Sequence, residues 1–125
     1  MTAEYHPMPG AGKLPFSEAV RVGDMLYLAG AMGFDLETMT LVPGGVAAET
    51  RKTLENIRAT LERHGSSLDK IVTATVFLAD MSEWDTMNAV YVTYFAKHLP
   101  ARSAFGGVVL ARGGRVEIEV VATVG

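Results

Sequence analysis

A chain of 125 residues that is 49% hydrophobic and 20% charged can bury one core and has no room for a second domain, so residues 1–125 read as a single unit. Its formal charge of -3, with 11 Lys and Arg residues scattered rather than clustered, lacks the basic footprint that nucleic-acid binding needs. The absence of cysteine excludes disulfides, thiol chemistry and Cys-ligated zinc, and no apolar run approaches the roughly 20 residues of a membrane span.

Taken in chain order, Met1–Pro7 offers neither a basic segment nor an apolar core, which gives the expectation of a soluble, cytoplasmic protein without membrane or nucleic-acid partners. Glu18–Val22 and Met25–Ala31 are short strand candidates separated by Gly23-Asp24, a dipeptide suited to a tight hairpin turn. After Pro43-Gly44-Gly45, Thr50, Leu54, Ile57 and Leu61 recur at helical spacing, with Glu49, Arg51, Glu55, Arg58 and Glu62 around the rest of the surface. This predicts a helix from about Ala47 to His64 that Gly65 terminates. Ile71–Ala79 alternates Thr73, Thr75 and Phe77 with Val72, Ala74, Val76 and Leu78, the pattern of a central strand with one apolar and one mixed face. Ser82 as N-cap, with Asp85 at the reciprocal position, opens a second helix that carries Trp84, Met87, Tyr91, Tyr94 and Phe95 on one side as core; Leu99-Pro100 ends it. Strands at about Arg102–Leu110 and Val116–Val124, divided by Arg112-Gly113-Gly114-Arg115, complete a β-β-α-β-α-β-β order of the α+β class.

Two helices cover only one face of such a mixed sheet. On the last strand Val116, Ile118, Val120, Ala122 and Val124 form the row expected beneath them, which leaves Glu117, Glu119, Val121 and Thr123 on the other face. Val121, Phe77 and the threonines make a poor water-facing surface, so a homo-oligomer is expected. Arg102 and Glu117 place opposite charges inside strands, where a charge is costly unless it is paired or used on a ligand. The expected partners are a second subunit and a small anion.

Pro100-Ala101-Arg102-Ser103, the downstream Val116-Glu117-Ile118-Glu119-Val120, Asn88-Ala89-Val90-Tyr91, Leu28-Ala29-Gly30 and the run Val72–Leu78 together resemble the Rid family of reactive-intermediate deaminases, the YjgF-like proteins, over nearly the whole chain. The resemblance implies a chorismate-mutase-like fold and a homotrimer with a cleft at each subunit boundary. It also implies cofactor-free hydrolysis of 2-imino or enamino acids to 2-keto acids and ammonia, with Arg102 and Glu117 as catalytic residues and Phe16, Ala29, Gly30, Asn88 and Ala104 at the substrate. The chain departs from the family pattern where Phe16 stands for a tyrosine, Ala29 for a serine and Ala104 for a cysteine. A less polar pocket points to a bulkier or more apolar substrate than 2-aminoacrylate, or to a trimer that binds small carboxylates without turning them over. Ribonuclease activity, also attached to the family name, ranks last because the acidic chain shows no basic groove.

The chemistry fits the residue types. A 2-imino acid carries a carboxylate beside an electrophilic carbon, and the Arg102 guanidinium offers it two parallel donors and a permanent charge. Glu117 suits the attacking water and the proton transfer. Burial raises its pKa and a neighbouring arginine lowers it, so the sign of the shift is open from sequence. Were the last two strands a hairpin through Arg112-Gly113, Arg102 would lie roughly 20 Å from Glu117 at about 3.3 Å per residue. Arg102 of one chain is therefore expected to meet Glu117 of its neighbour. The same two residues also suit a structural ion pair at an oligomer interface, Asn88 also suits a helix cross-link, and Glu119 reads as structural. His6, His64 and His98 lack metal-ligand spacing, so no metal is expected. Gly10-Ala11-Gly12-Lys13 fails as a phosphate loop, because Pro7 stands where the first glycine should be and Leu14 replaces the Ser or Thr.

Overall fold

Period-2 alternation and one long amphipathic helix organise the computed structural model, which describes residues 2–10 and 14–125; residues 11–13 of the Gly10–Lys13 run lie outside the described residues. The strands are β1 (Ala3–His6), β2 (Ala19–Val22), β3 (Met25–Leu28), β4 (Ala31–Met32), β5 (Phe34–Asp35), β6 (Thr40–Leu41), β7 (Ile71–Leu78), β8 (Ala101–Phe105) and β9 (Val116–Thr123). Helix α1 (Gly45–Arg63) lies between β6 and β7, and α2 (Trp84–Tyr91) between β7 and β8. The main sheet runs β1-β2-β3-β9-β7-β8, with β4 also paired to β9, while β5 and β6 form a separate small hairpin. Only the β7–β8 pair is parallel among these ladders. Helix α2 supplies the crossover that a parallel pair needs.

Thr50, Leu54, Ile57 and Leu61 of α1 are all but fully buried, as their spacing requires, against Val76, Ile118, Val120 and Ala122 of the sheet. The buried hydroxyls are satisfied inside the helix, Thr50 Oγ1 donating to Val46 O and Thr53 Oγ1 to Glu49 O, each at 2.7 Å. At its C-terminus Ser66 N–H reaches Leu61 O at 2.8 Å and Gly65 N–H reaches Glu62 O at 3.3 Å, with Gly65 at φ 80°. That is a Schellman closure, and it requires the left-handed residue that Gly65 provides.

Several expectations need correction. β1, β4 and the β5–β6 hairpin extend the β-β-α-β-α-β-β order. Ala-Glu-Tyr-His in β1 has no apolar period to read; it is held as an edge strand by its backbone register with β2, Glu4 opposite Arg21. The second helix is shorter than its apolar stripe, ending at Tyr91 and continuing as a 3-10 turn, and Asp80 rather than Ser82 caps its approach by accepting Ser82 N–H at 2.9 Å. Trp84 is 42% exposed and is not core, whereas Met87, Tyr91 and Phe95 are buried. In β7 a register shift between Ile71 and Thr73 turns Ile71 inward and leaves Val72 44% exposed, so Val72 does not join the apolar row. Strand β8 stops at Phe105 and makes no hairpin with β9, because β7 lies between them. No helix among the described residues is long and apolar enough to cross a membrane.

Gly65→Ala is expected to lower stability by about 1 kcal/mol, since alanine at positive φ is strained and gains little elsewhere. Urea unfolding measures this, and an unchanged midpoint would show that the α1 terminus relaxes freely.

Candidate active site

The alternation of β9 puts Val116, Ile118, Val120 and Ala122 under the helices and Glu117 on the uncovered face, level with Phe77 of β7. Beyond it the sheet is irregular. Tyr27 pairs with Val121 and Ala31 with Ile118, so four steps along β3–β4 oppose three along β9, and the extra residue makes a bulge at Leu28–Gly30. At this bulge the Glu117 carboxylate lies against Gly30, where a β-carbon would overlap its oxygen. Glycine is the one residue at position 30 that leaves room for the carboxylate, because it has no β-carbon. Burial, with the Glu119 carboxylate as a second cause, pushes the Glu117 carboxyl above its ordinary value.

Glu117, Gly30, Ala29 and Phe16 line one cavity of about 740 Å³, together with residues of the N-terminal segment, the β5–β6 hairpin and α1. Arg102, Asn88 and Ala104 do not line it. Arg102 pairs with Ala74, a buried residue of the helix-covered face, so it points to that face, and Ala104 shares its side. The Arg102 Cζ stands 4.8 Å from the Tyr91 ring centroid and 5.8 Å from that of Trp84, a cation–π clamp that holds the guanidinium without a carboxylate. Trp84, Asn88 and Tyr91 follow one another at i, i+4 and i+7 along one face of α2. The Asn88 amide oxygen and the Tyr91 hydroxyl are buried with no hydrogen-bond partner, and burial, opposed by Arg102, raises the Tyr91 pKa.

The site residues thus fall into two half-sites, one carrying Glu117 and one carrying Arg102. By register Arg102 aligns with Ala74 and Ala74 with Val120, three residues from Glu117. Two strand spacings and three residue rises set their Cα atoms on the order of 14 Å apart. They also point to opposite faces, so one chain cannot hold one small molecule between them. The 20 Å hairpin separation is replaced by a shorter distance across β7, and the change of face now keeps the two residues apart. The sequence pattern does not reveal the Trp84 and Tyr91 rings as the Arg102 platform; the signal is the 84/88/91 spacing, which also suits core. Among the described residues no cluster of three or more His, Asp or Glu side chains is placed to hold a metal ion.

These features define a small α+β protein with a mixed sheet, helices over one face, and candidate site residues divided between the two faces. The chain belongs to the endoribonuclease L-PSP family, that of the YjgF and Rid proteins, whose family model matches residues 9–124. It is similar to the 2-iminobutanoate/2-iminopropanoate deaminase of Mus musculus, 43% identical over 111 residues that cover 89% of this chain and 82% of that protein. Among solved structures it resembles RidA from an Antarctic Psychrobacter, with a TM-score of 0.86, 37% identity and 99% of each chain covered. The YjgF gene product of E. coli superposes with a TM-score of 0.83 at 30% identity over 95% of this chain and 92% of that one.

A carboxyl whose pKa is raised by folding contributes stability that is fully present below its unfolded value, about 4.3, and is lost as pH rises through the folded one. Glu117→Gln keeps the shape and removes that loss. Its urea midpoint is expected to gain on wild type between pH 4 and pH 7, and a difference that stays constant across that range contradicts the burial of the charge.

Proposed function

We propose that this protein hydrolyses 2-imino acids to 2-keto acids and ammonia, without a cofactor, at clefts between the subunits of a homotrimer. The observation that carries the reading is the Arg102 half-site. Among the described residues this guanidinium makes no salt bridge, while the buried carboxylates elsewhere are matched: Glu18 by Arg63 and His64, and Glu49 by the Arg115 N–H. A cation fixed over two rings and left unneutralised is poised for a ligand carboxylate.

The uncovered sheet face supports the assembly. Phe77 and Phe105 stack there with centroids 5.9 Å apart, and Phe105, Tyr27 and Val72 are exposed. Such a face calls for cover by further copies, and β8, which carries Arg102, is the free edge of the sheet. A ring of copies brings the Arg102 edge of one subunit to the Glu117 cavity of the next.

In this cleft Arg102 binds the substrate carboxylate, and Asn88 Oδ1 accepts a hydrogen bond from the imine N–H. Water attacks C2 of the protonated imine while Glu117 takes the water's proton, and the C=N electron pair moves to nitrogen, giving a neutral carbinolamine. The carbinolamine then collapses: Glu117 returns the proton to the amino nitrogen, the C–N bond breaks with its electron pair leaving on ammonia, and the hydroxyl proton passes to Glu117 as the keto C=O forms; Glu117 then hands it to the ammonia, which departs as ammonium. The upward shift of the Glu117 carboxyl, caused by burial and by Glu119, moves it in the direction that a group accepting and returning a proton needs. Gly30 lets this carboxylate lie at the bulge, and Phe16, Ala29 and Ala104 wall the cleft without competing for the water.

Keto-acid release from imines generated in situ, with spontaneous hydrolysis subtracted, tests the proposal. Arg102→Ala is expected to lower kcat/KM about 10- to 100-fold, the worth of a charge-assisted pair. Glu117→Gln is expected to lower kcat about 10²- to 10⁴-fold with little change in KM. Wild-type rates equal to the blank, with carboxylates still bound, would instead establish a trimeric binder of small carboxylate metabolites.

A further inference from the structure

The β5–β6 hairpin breaks two local rules at once. Its turn, between Asp35 and Thr40, carries Leu36 at 48% exposure and Met39 at 42%, where polar turn residues are the norm. Met39 also adopts φ 57°, a conformation in which Asn, Asp or Gly is the usual choice. Neither residue is there for the turn. Both line the cavity that Glu117 lines, together with Leu14 and Phe16 of the N-terminal segment, which are likewise exposed apolar residues at 38% and 50%. The hairpin is fixed in place rather than loose, since Asn56 of α1 donates from Nδ2 to Met32 O at 3.1 Å and to Phe34 O at 2.9 Å.

The size of the space agrees with its lining. A cavity of about 740 Å³ lies in the range that encloses drug-sized ligands and far exceeds what a three-carbon acid fills. Of its charged members Glu18 and Arg63 are paired with each other, and Glu37 adds a carboxylate at the exposed turn. Leu14, Phe16, Leu28, Leu36 and Met39 make the rest of the wall that an entering side chain meets largely apolar.

We infer that Leu36 and Met39, facing Leu14 and Phe16, form the pocket for the substrate's side chain, and that this protein selects 2-imino acids with branched aliphatic or aromatic side chains over those of three or four carbons. The inference rests on the deaminase reading for its chemistry, while the pocket itself can be examined by binding alone. Asn56 is a positioning residue that holds the hairpin against α1. Placing the side chain here leaves the carboxylate free to reach outward from the Glu117 cavity, toward the neighbouring subunit's cation.

The test compares kcat/KM for imines generated in situ from phenylalanine, leucine and alanine by an amino-acid oxidase with catalase, and in parallel the calorimetric Kd of phenylpyruvate and pyruvate. The large imines are expected to exceed the alanine-derived imine by at least about 10-fold, because several buried methylenes add up multiplicatively. Leu36→Asp and Met39→Asp place a charge in the pocket, and aspartate tolerates the Met39 conformation, so the turn is kept. Each is expected to reduce the large-to-small ratio about 10-fold, chiefly through KM of the large substrate. A wild-type ratio near one, or a ratio that neither variant moves, overturns the assignment even if the small imine is hydrolysed well. Tight, selective binding of phenylpyruvate with no turnover of any imine keeps the pocket and removes the deaminase chemistry; equal binding of the two keto acids removes the pocket.

Discussion

Glu117 sits in the β9 row opposite Val116, Ile118 and Val120, and that alternation fixes a carboxylate on the sheet face that neither helix covers. Burial makes its charged form costly there, and no hydrogen bond of the described residues relieves it. The surrounding geometry is arranged to tolerate this. A bulge between β3 and β4 opens the strand, Gly30 removes the β-carbon that would collide with the carboxylate, and the N-terminal segment and hairpin raise apolar walls around it. A carboxyl kept in an unfavourable state by so many elements is a candidate for chemistry.

The rest of the chain's electrostatics sharpens the contrast. Glu18 is 4% exposed yet accepts from Arg63 and from His64 at 2.9 Å, and Glu49 is 6% exposed yet accepts the Arg115 N–H at 2.8 Å. Glu18 is thus paired with cations and Glu49 with a backbone donor, and both tie helix α1 to the sheet side of the core. Arg102 is handled differently. Its position beside Ala74 on the helix face, with Tyr91 and Trp84 beneath it, supplies ring quadrupoles in place of an anion. The unmatched acid and the unmatched base lie on opposite faces, so each half-site is incomplete within one chain. An apolar sheet face next to a free strand edge is consistent with the proposed assembly, which would complete them.

Much of this was legible in the residues. Spacing alone identified α1 and its buried face, because Thr50, Leu54, Ile57 and Leu61 face one core, and Gly65 marked its end because only glycine suits the Schellman position. The inward row of β9 followed from strict alternation. The β5–β6 hairpin and β1 were not legible, since two- and four-residue strands held by register carry no hydrophobic period. The exchange of Ile71 for Val72 was hidden as well, because a bulge changes which face a residue occupies without changing its chemistry. At the site, Arg102 and Glu117 stood out as charges inside strands and the face of Glu117 followed from alternation, but the face of Arg102 depended on β8 pairing with β7 rather than β9, a long-range choice that local pattern does not encode. Trp84 read as core by its helical position and instead stacks on Arg102, at the surface.

The central claim is that Arg102 of one subunit and Glu117 of another make one site. Mixing Arg102→Ala and Glu117→Ala chains, each expected to retain no more than about a tenth of wild-type activity alone, tests it directly once subunit exchange has been verified by mass spectrometry. Random reassembly pairs an intact arginine edge with an intact glutamate cavity in about one quarter of the clefts, so roughly that fraction of wild-type imine hydrolysis should return. Verified mixed assemblies that stay at the level of the two separate variants would show that each chain needs both residues for its own site.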